Sequence, residues 1–224
     1  MNQRMLTKSL FAATSLFFIS ATLFAEPQNL DSLKTELRSY HDTGAYDKEI
    51  AQVVKQAETY IHAKVEENNK SKNPARLALV LDIDETTLSN YNGIITRKFC
   101  DNPKLINHDI HQANAPAIAA MLALYNNAKE QNIAIFFVTG RRPSLQRATE
   151  KNLKHVGYTS WRGIYFRPEL DNNQSVIPYK TQVRADITQR GYTIIASIGD
   201  QASDLTGGYA EKTFKLPNPF YYLP

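Results

Sequence analysis

Leu77-Ala78-Leu79-Val80-Leu81, followed at once by Asp82-Ile83-Asp84-Glu85-Thr86, is the passage of this 224-residue chain on which its fold turns. Five apolar residues in a row, without polar alternation, fit a short strand buried on both faces. Strands of that kind belong to parallel sheets covered by helices on both sides. In such sheets ligands bind beyond the carboxyl ends of the strands. The acidic cluster after the run is therefore where chemistry is to be sought.

The same grammar repeats further along. Residues 133–138 form a second apolar run, ended by Thr139-Gly140-Arg141. Gly163–Phe166 is a third strand, residues 193–198 are a fourth, ended by Gly199-Asp200 with Asp204, and residues 213–216 are a last candidate. Helical spacing separates them. Ile118, Met121, Leu122 and Tyr125 mark one helix. Ser144 is placed to cap another that runs to Val156, with Gly157 after its end. Pro178 suits the first turn of a third, with Tyr179, Val183 and Ile187 on one face and Gly191 beyond it. Residues 88–114 read as irregular inserted loops. Upstream, two apolar stripes (Leu30, Leu33, Leu37, Tyr40, then Ile50, Val53, Val54, Ala57, Ile61, Val65) flank a Thr43-Gly44 break. The expectation is one domain over residues 26–224: a helical addition at 26–74, packed as a small cap, and an α/β core at 75–224.

The first 25 residues stand apart. Arg4 and Lys8 precede an apolar run from residue 10 to residue 24, about 15 residues and short for a spanning helix. Ala25 precedes Glu26-Pro27, so the segment reads as a signal peptide cut near Ala25; an N-terminal membrane anchor is the competing reading. The expected destination is the periplasm or the exterior, with no stable membrane anchor after processing. Removing Arg4 and Lys8 from 26 basic side chains leaves 24 against 22 acidic ones. No basic run supports binding of a nucleic-acid polymer. Cys100 is the single cysteine, so no disulfide can form within the chain, and it reads as an unreactive packing residue.

Asp82 and Asp84 lie two apart, and in extended chain such residues point to one side. Two carboxylates there repel, and a hard divalent cation such as Mg2+ would offset them through oxygen ligands. Asp200, at another strand end, can add a carboxylate. Thr139 offers a hydroxyl, backbone N–H groups around Gly140 can face an anion, and the next helix adds its N-terminal dipole. Lys180, at a helix start, can neutralise a phosphate oxygen.

These clusters, in this order, resemble the four motifs of the haloacid dehalogenase (HAD) superfamily of phosphotransferases: Asp82 to Thr86, Val138 to Arg141, Lys180, and Gly199-Asp200 with Asp204. The segment from Leu79 to Asn90 and the ending Lys215-Leu216-Pro217-Asn218-Pro219-Phe220-Tyr221-Tyr222 resemble its secreted acid phosphatase branch (subfamily IIIB). That branch includes bacterial class B-type and lipoprotein acid phosphatases and plant vegetative storage proteins. This chain lacks the lipoproteins' anchoring cysteine. The resemblance implies a Rossmann-like α/β core and a Mg2+-dependent acid phosphatase acting on small phosphomonoesters, nucleoside monophosphates among them. It implies Asp82 as nucleophile and Asp84 as general acid and base. It further implies Mg2+ held by the Asp82 carboxylate, the Asp84 carbonyl and Asp200, with Asp204 orienting a water. Thr139, Gly140 and Lys180 would hold the phosphoryl group. Two rivals stay open: a storage or binding protein on the same fold, and a phosphotransferase to alcohol acceptors.

Weaker signals remain. Tyr91, Phe99, Trp161 and Tyr165 can stack on a flat leaving group, Tyr91 best placed, with ordinary packing as the alternative. His108 and His111 have zinc-like spacing but no third ligand in sight. Arg141 and Arg142 can meet a phosphate or the solvent.

Overall fold

The structure is a computed structural model and describes residues 26–172 and 175–223. The expected signal peptide, residues 1–25, lies outside the described residues. Five strands form one parallel sheet: β1 (Arg76–Leu81), β2 (Ala134–Thr139), β3 (Gly163–Phe166), β4 (Tyr192–Gly199) and β5 (Ala210–Lys215), in the order β3-β2-β1-β4-β5. Leu81 lies opposite Phe137 on one side and Ile198 on the other. The Asp82 N–H then donates to the Ile198 carbonyl at 3.1 Å. That register brings the residues after β1, β2 and β4 to one edge, at the reversal of strand order, which is where sheets of this kind bind ligands.

The side chains of β1 alternate between two cores. Ala78 and Val80 face α7 (Ile177–Gln189), where they meet Val183 and Ile187. Leu79 and Leu81 face a larger cluster under α2 (Ala45–Asn69) and α5 (Ala119–Glu130). Tyr46, Ile50, Val54, Ala57 and Ile61 form the buried stripe of α2. α1 (Leu30–Asp42) packs along α2 and buries none of its own side chains fully.

Three local features differ from the sequence reading. Residues 88–114 carry two short helices, α3 (Tyr91–Thr96) and α4 (Pro103–Gln112). Asn102 caps α4 by accepting from the Lys104 and Leu105 N–H groups, with Pro103 in its first turn. Ser144 caps nothing: Pro143–Leu145 is a 3-10 turn, α6 (Gln146–His155) follows it, and the Ser144 N–H donates to Glu169 Oε1 at 3.0 Å. Cys100 is exposed on the turn after α3, so it is no packing residue. Among the described residues no helix is long and apolar enough to cross a membrane.

Candidate active site

β1 ends at Leu81, and the chain turns immediately: Glu85 sits in the left-handed region at φ 51°. The extended-chain expectation for Asp82 and Asp84 therefore fails locally, and their carboxylates part. Asp82 stays at the sheet edge, where its carbonyl accepts from the Thr87 hydroxyl. The Asp84 carboxylate turns to Arg141, whose Nε and Nη2 both reach it; the Nη2–Oδ1 distance is 2.6 Å. Arg141 is buried, and its Nη1 donates to Thr149 Oγ1 at 3.0 Å. Burial pushes the Asp84 pKa up, but the Arg141 charge and hydrogen bonds, with one from Asn90, outweigh it and hold the carboxyl below its ordinary value.

Asp82 is joined instead by Asp200 and Asp204. Each of these three buried residues offers a carboxylate oxygen, and the oxygens lie within 4.8 Å of one another. Lys180, in the first turn of α7, donates to Asp82 Oδ1 at 2.7 Å and also to Asp204 Oδ1. Burial and repulsion from Asp204 push the Asp82 pKa well up, against the pull of Lys180. Asp200 is pushed up the same way, by burial first and by Asp204 next. For Lys180 burial works downward, but Asp204 and Asp82 more than offset it and raise its pKa. The three carboxylates outnumber the one ammonium that hydrogen-bonds them, so, ionised, they would carry net negative charge in a buried site. An all-oxygen donor set with that charge fits a hard divalent cation.

Asp204 depends on a close approach. A Cβ built at Gly199 would overlap the Asp204 side chain, so a glycine ends β4 for steric reasons. The Asp204 Oδ2 accepts from the Gln201 N–H at 2.8 Å, which fixes the side chain from its other end. Arg184, one turn beyond Lys180, is buried and gives its guanidinium to the carbonyls of Asp204, Thr206 and Gly208, knitting the loop beneath. Thr139 is buried and its hydroxyl accepts from the Arg141 N–H at 3.1 Å, which leaves its own proton available to an anion. That N–H beside Gly140 is thereby turned inward.

The model of the HAD superfamily, subfamily IIIB (acid phosphatase), matches residues 3–224. The chain belongs to this family. Among relatives of this HAD acid phosphatase member, the stem 28 kDa glycoprotein of Glycine max is 38% identical over 152 residues, 64% of this chain and 59% of that protein. Acid phosphatase 1 of Solanum lycopersicum is 30% identical over 149 residues, 64% of this chain and 58% of that one. Vegetative storage protein 1 of Arabidopsis thaliana is 37% identical over 111 residues, 50% of this chain and 41% of that one. The chain spans 50–59% of the length of the Glycine max stem glycoproteins it matches. A class C acid phosphatase from Bacillus anthracis superposes with a TM-score of 0.66 over 86% of each chain; at 20% identity it supports the fold alone.

For this HAD family member the aromatic candidates pack into the hydrophobic cores. Tyr91 is buried, its ring stacked on His41 with centroids 3.3 Å apart and its hydroxyl donating to Asp42 at 3.1 Å. It is a packing residue here, because α1 folds over α3, which local sequence does not show. Phe99 joins the edge of the same cluster through Phe220. Trp161 precedes β3, at the opposite edge of the sheet, and Tyr165 lies beneath α7 in the second core. His108 and His111 are exposed on α4 and join no group of metal-type ligands among the described residues. Arg142 donates to the carbonyls of Pro168 and Asp171, tying a loop. Sequence reasoning left Arg141 undecided and passed over Arg184; the second had a signal, a cation on the buried stripe of α7 between Val183 and Ile187.

Proposed function

We propose that the chain is an exported, Mg2+-dependent acid phosphatase that hydrolyses small phosphomonoesters through a phosphorylated Asp82. The observation that carries this reading is the buried trio Asp82, Asp200 and Asp204, whose carboxylates outnumber the one lysine that hydrogen-bonds them. Mg2+ would be held by the carboxylates of Asp82 and Asp200 and the Asp84 carbonyl, with Asp204 setting a water, and when bound it would screen phosphate from these carboxylates. Export rests on the N-terminal segment with its expected cut near Ala25. The substrate class is small phosphomonoesters; with Tyr91 taken up by packing, no nucleobase preference is assigned.

The protein groups divide the work. The Asp82 carboxylate attacks phosphorus, an O–P bond forms, and the ester O–P bond breaks. The leaving oxygen takes the Asp84 proton. Arg141 keeps Asp84 ionised at rest, and a phosphate dianion brought beside it raises its proton affinity, so the acid is loaded as substrate binds. Asp84 then accepts a proton from water, whose oxygen attacks phosphorus and breaks the Asp82–phosphorus bond. Lys180 and the Thr139 hydroxyl hold the equatorial oxygens. A storage role, raised by the names of two Arabidopsis thaliana relatives, makes no use of the paired Asp84 and Arg141.

Phosphate release from a panel of phosphomonoesters, with chelator and with Mg2+, tests the reading. Wild type should fall silent in chelator and recover with Mg2+, and Asp82→Asn should stay folded and inactive. Wild-type release by Asp82→Asn, or full activity in excess chelator, would overturn it. Added alcohol, followed by product analysis, separates hydrolysis from transfer.

A further inference from the structure

The segment after β5 runs back across the site. Its first step continues the sheet: the Leu216 N–H donates to the Gly199 carbonyl at 2.9 Å. Asn218 then lies against Asp200, Nδ2 donating to Asp200 Oδ2 at 2.8 Å while Oδ1 accepts from the Phe220 N–H at 2.9 Å. With its oxygen taken by an N–H, the amide can only present its nitrogen to the carboxylate. The Phe220 ring packs between Tyr46 and Tyr91, with centroids 5.1 Å and 5.3 Å away, and so joins the segment to α2 and α3.

Tyr221 comes next. Its hydroxyl donates to Glu85 Oε2 at 2.6 Å. Glu85 is 1% exposed and follows Asp84 in the strained turn. Its other oxygen accepts from the Asn90 N–H at 2.6 Å, and the Asn90 side-chain amide donates to Asp84 Oδ1 at 2.8 Å. A continuous path thus runs from the Tyr221 phenol through Glu85 and Asn90 to Asp84. A second path starts at the Leu223 N–H, which donates to Gln201 Oε1 at 3.2 Å; Gln201 Nε2 donates to Asp200 Oδ2 at 2.6 Å. Two acidic groups of the site are held from one short stretch of chain.

We propose that residues 216–223 form a positioning strap, in which Asn218 and the Leu223 backbone set the Asp200 carboxylate while Tyr221, through Glu85 and Asn90, sets Asp84. The metal role of Asp200 and the acid role of Asp84 rest on the function proposed above. Asn218, Tyr221 and the Leu223 N–H do not touch the reacting atoms in this scheme and act by fixing those that do, while the Tyr222 side chain holds neither acid. A ligand's hydrogen-bond partners govern its aim, and losing one lowers metal affinity or activity by roughly 10–100-fold.

Asn218→Ala and Tyr221→Phe test the strap, with Tyr222→Phe as control because that side chain is 75% exposed. Three quantities are read: Mg2+ affinity by calorimetry, amide hydrogen exchange over residues 82–90, and kcat with KM. Asn218→Ala should weaken Mg2+ binding roughly 10-fold. Tyr221→Phe keeps its ring and its packing; it should lower kcat roughly 10-fold at near-constant KM and speed exchange over 82–90. Tyr222→Phe should change none of these. Wild-type Mg2+ affinity in Asn218→Ala together with wild-type exchange in Tyr221→Phe would overturn the strap. A wild-type protein that binds no Mg2+ would sink the metal reading instead, and the exchange measurement would still decide whether Tyr221 holds the catalytic turn.

Discussion

Replacing Lys180 by Met removes the one cation, among the described residues, that hydrogen-bonds the carboxylates of the buried trio. The ammonium sits 2.7 Å from Asp82 and in contact with Asp204, and the three side chains are 5%, 6% and 2% exposed. Methionine keeps much of the volume and loses the charge. Breaking a buried ion pair by removing one partner costs about 3–5 kcal/mol, because the other charge is left uncompensated. For a domain of this size each kcal/mol lowers Tm by about 2–4 °C, so the variant should melt about 6–20 °C below wild type in chelator. A Mg2+ ion that binds only the folded site would, at a hundredfold excess over Kd, add about 2.7 kcal/mol to stability. The Mg2+-induced rise in Tm should therefore survive in Lys180→Met, since its three carboxylates are intact, while phosphate release drops. Calorimetric melts of both proteins, with chelator and with Mg2+, give all four numbers. A drop under about 2 °C in chelator, or a Tm in either protein that ignores Mg2+, would refute the charge-deficit argument.

Gly199→Ala drives a methyl group into Asp204; it should cost about 1–3 kcal/mol and weaken Mg2+ binding, which melts and titration calorimetry would show. Arg141→Gln removes the charge that holds Asp84 below its ordinary pKa. Because the general acid must carry a proton, the alkaline limb of kcat/KM should move to higher pH as the Asp84 pKa rises, at a lower maximum. A limb that stays in place would show that Asp84 is not the acid.

The sheet was legible because its signals are local. The apolar runs before Asp82, Thr139 and Asp200 each announce a buried strand and a polar end, and parallel register brings those ends together. Lys180 fell into place for the same reason, since Pro178 marks the first turn of its helix. What stayed hidden depends on turns and on distant packing. The Asp84 pairing with Arg141 follows from a left-handed turn at Glu85, a residue type that gives no warning of positive φ. Tyr91 looked free because His41 lies fifty positions upstream and meets it only once α1 has folded over. The helix α4 was readable after all: Asn102-Pro103 is a start signal, obscured by the polar residues around it. The Lys215 to Tyr222 ending resembled a family segment, yet nothing in its composition connects Tyr221 with a glutamate 136 positions earlier.

The central claim is that phosphate passes through the side chain of Asp82. Wild type should be mixed with a radiolabelled phosphomonoester and Mg2+, quenched rapidly in acid, and digested. The label should then sit on the peptide containing Asp82, come off with hydroxylamine, and be missing in Asp82→Asn. Steady turnover with label on another residue, or turnover undiminished in Asp82→Asn, would contradict the account.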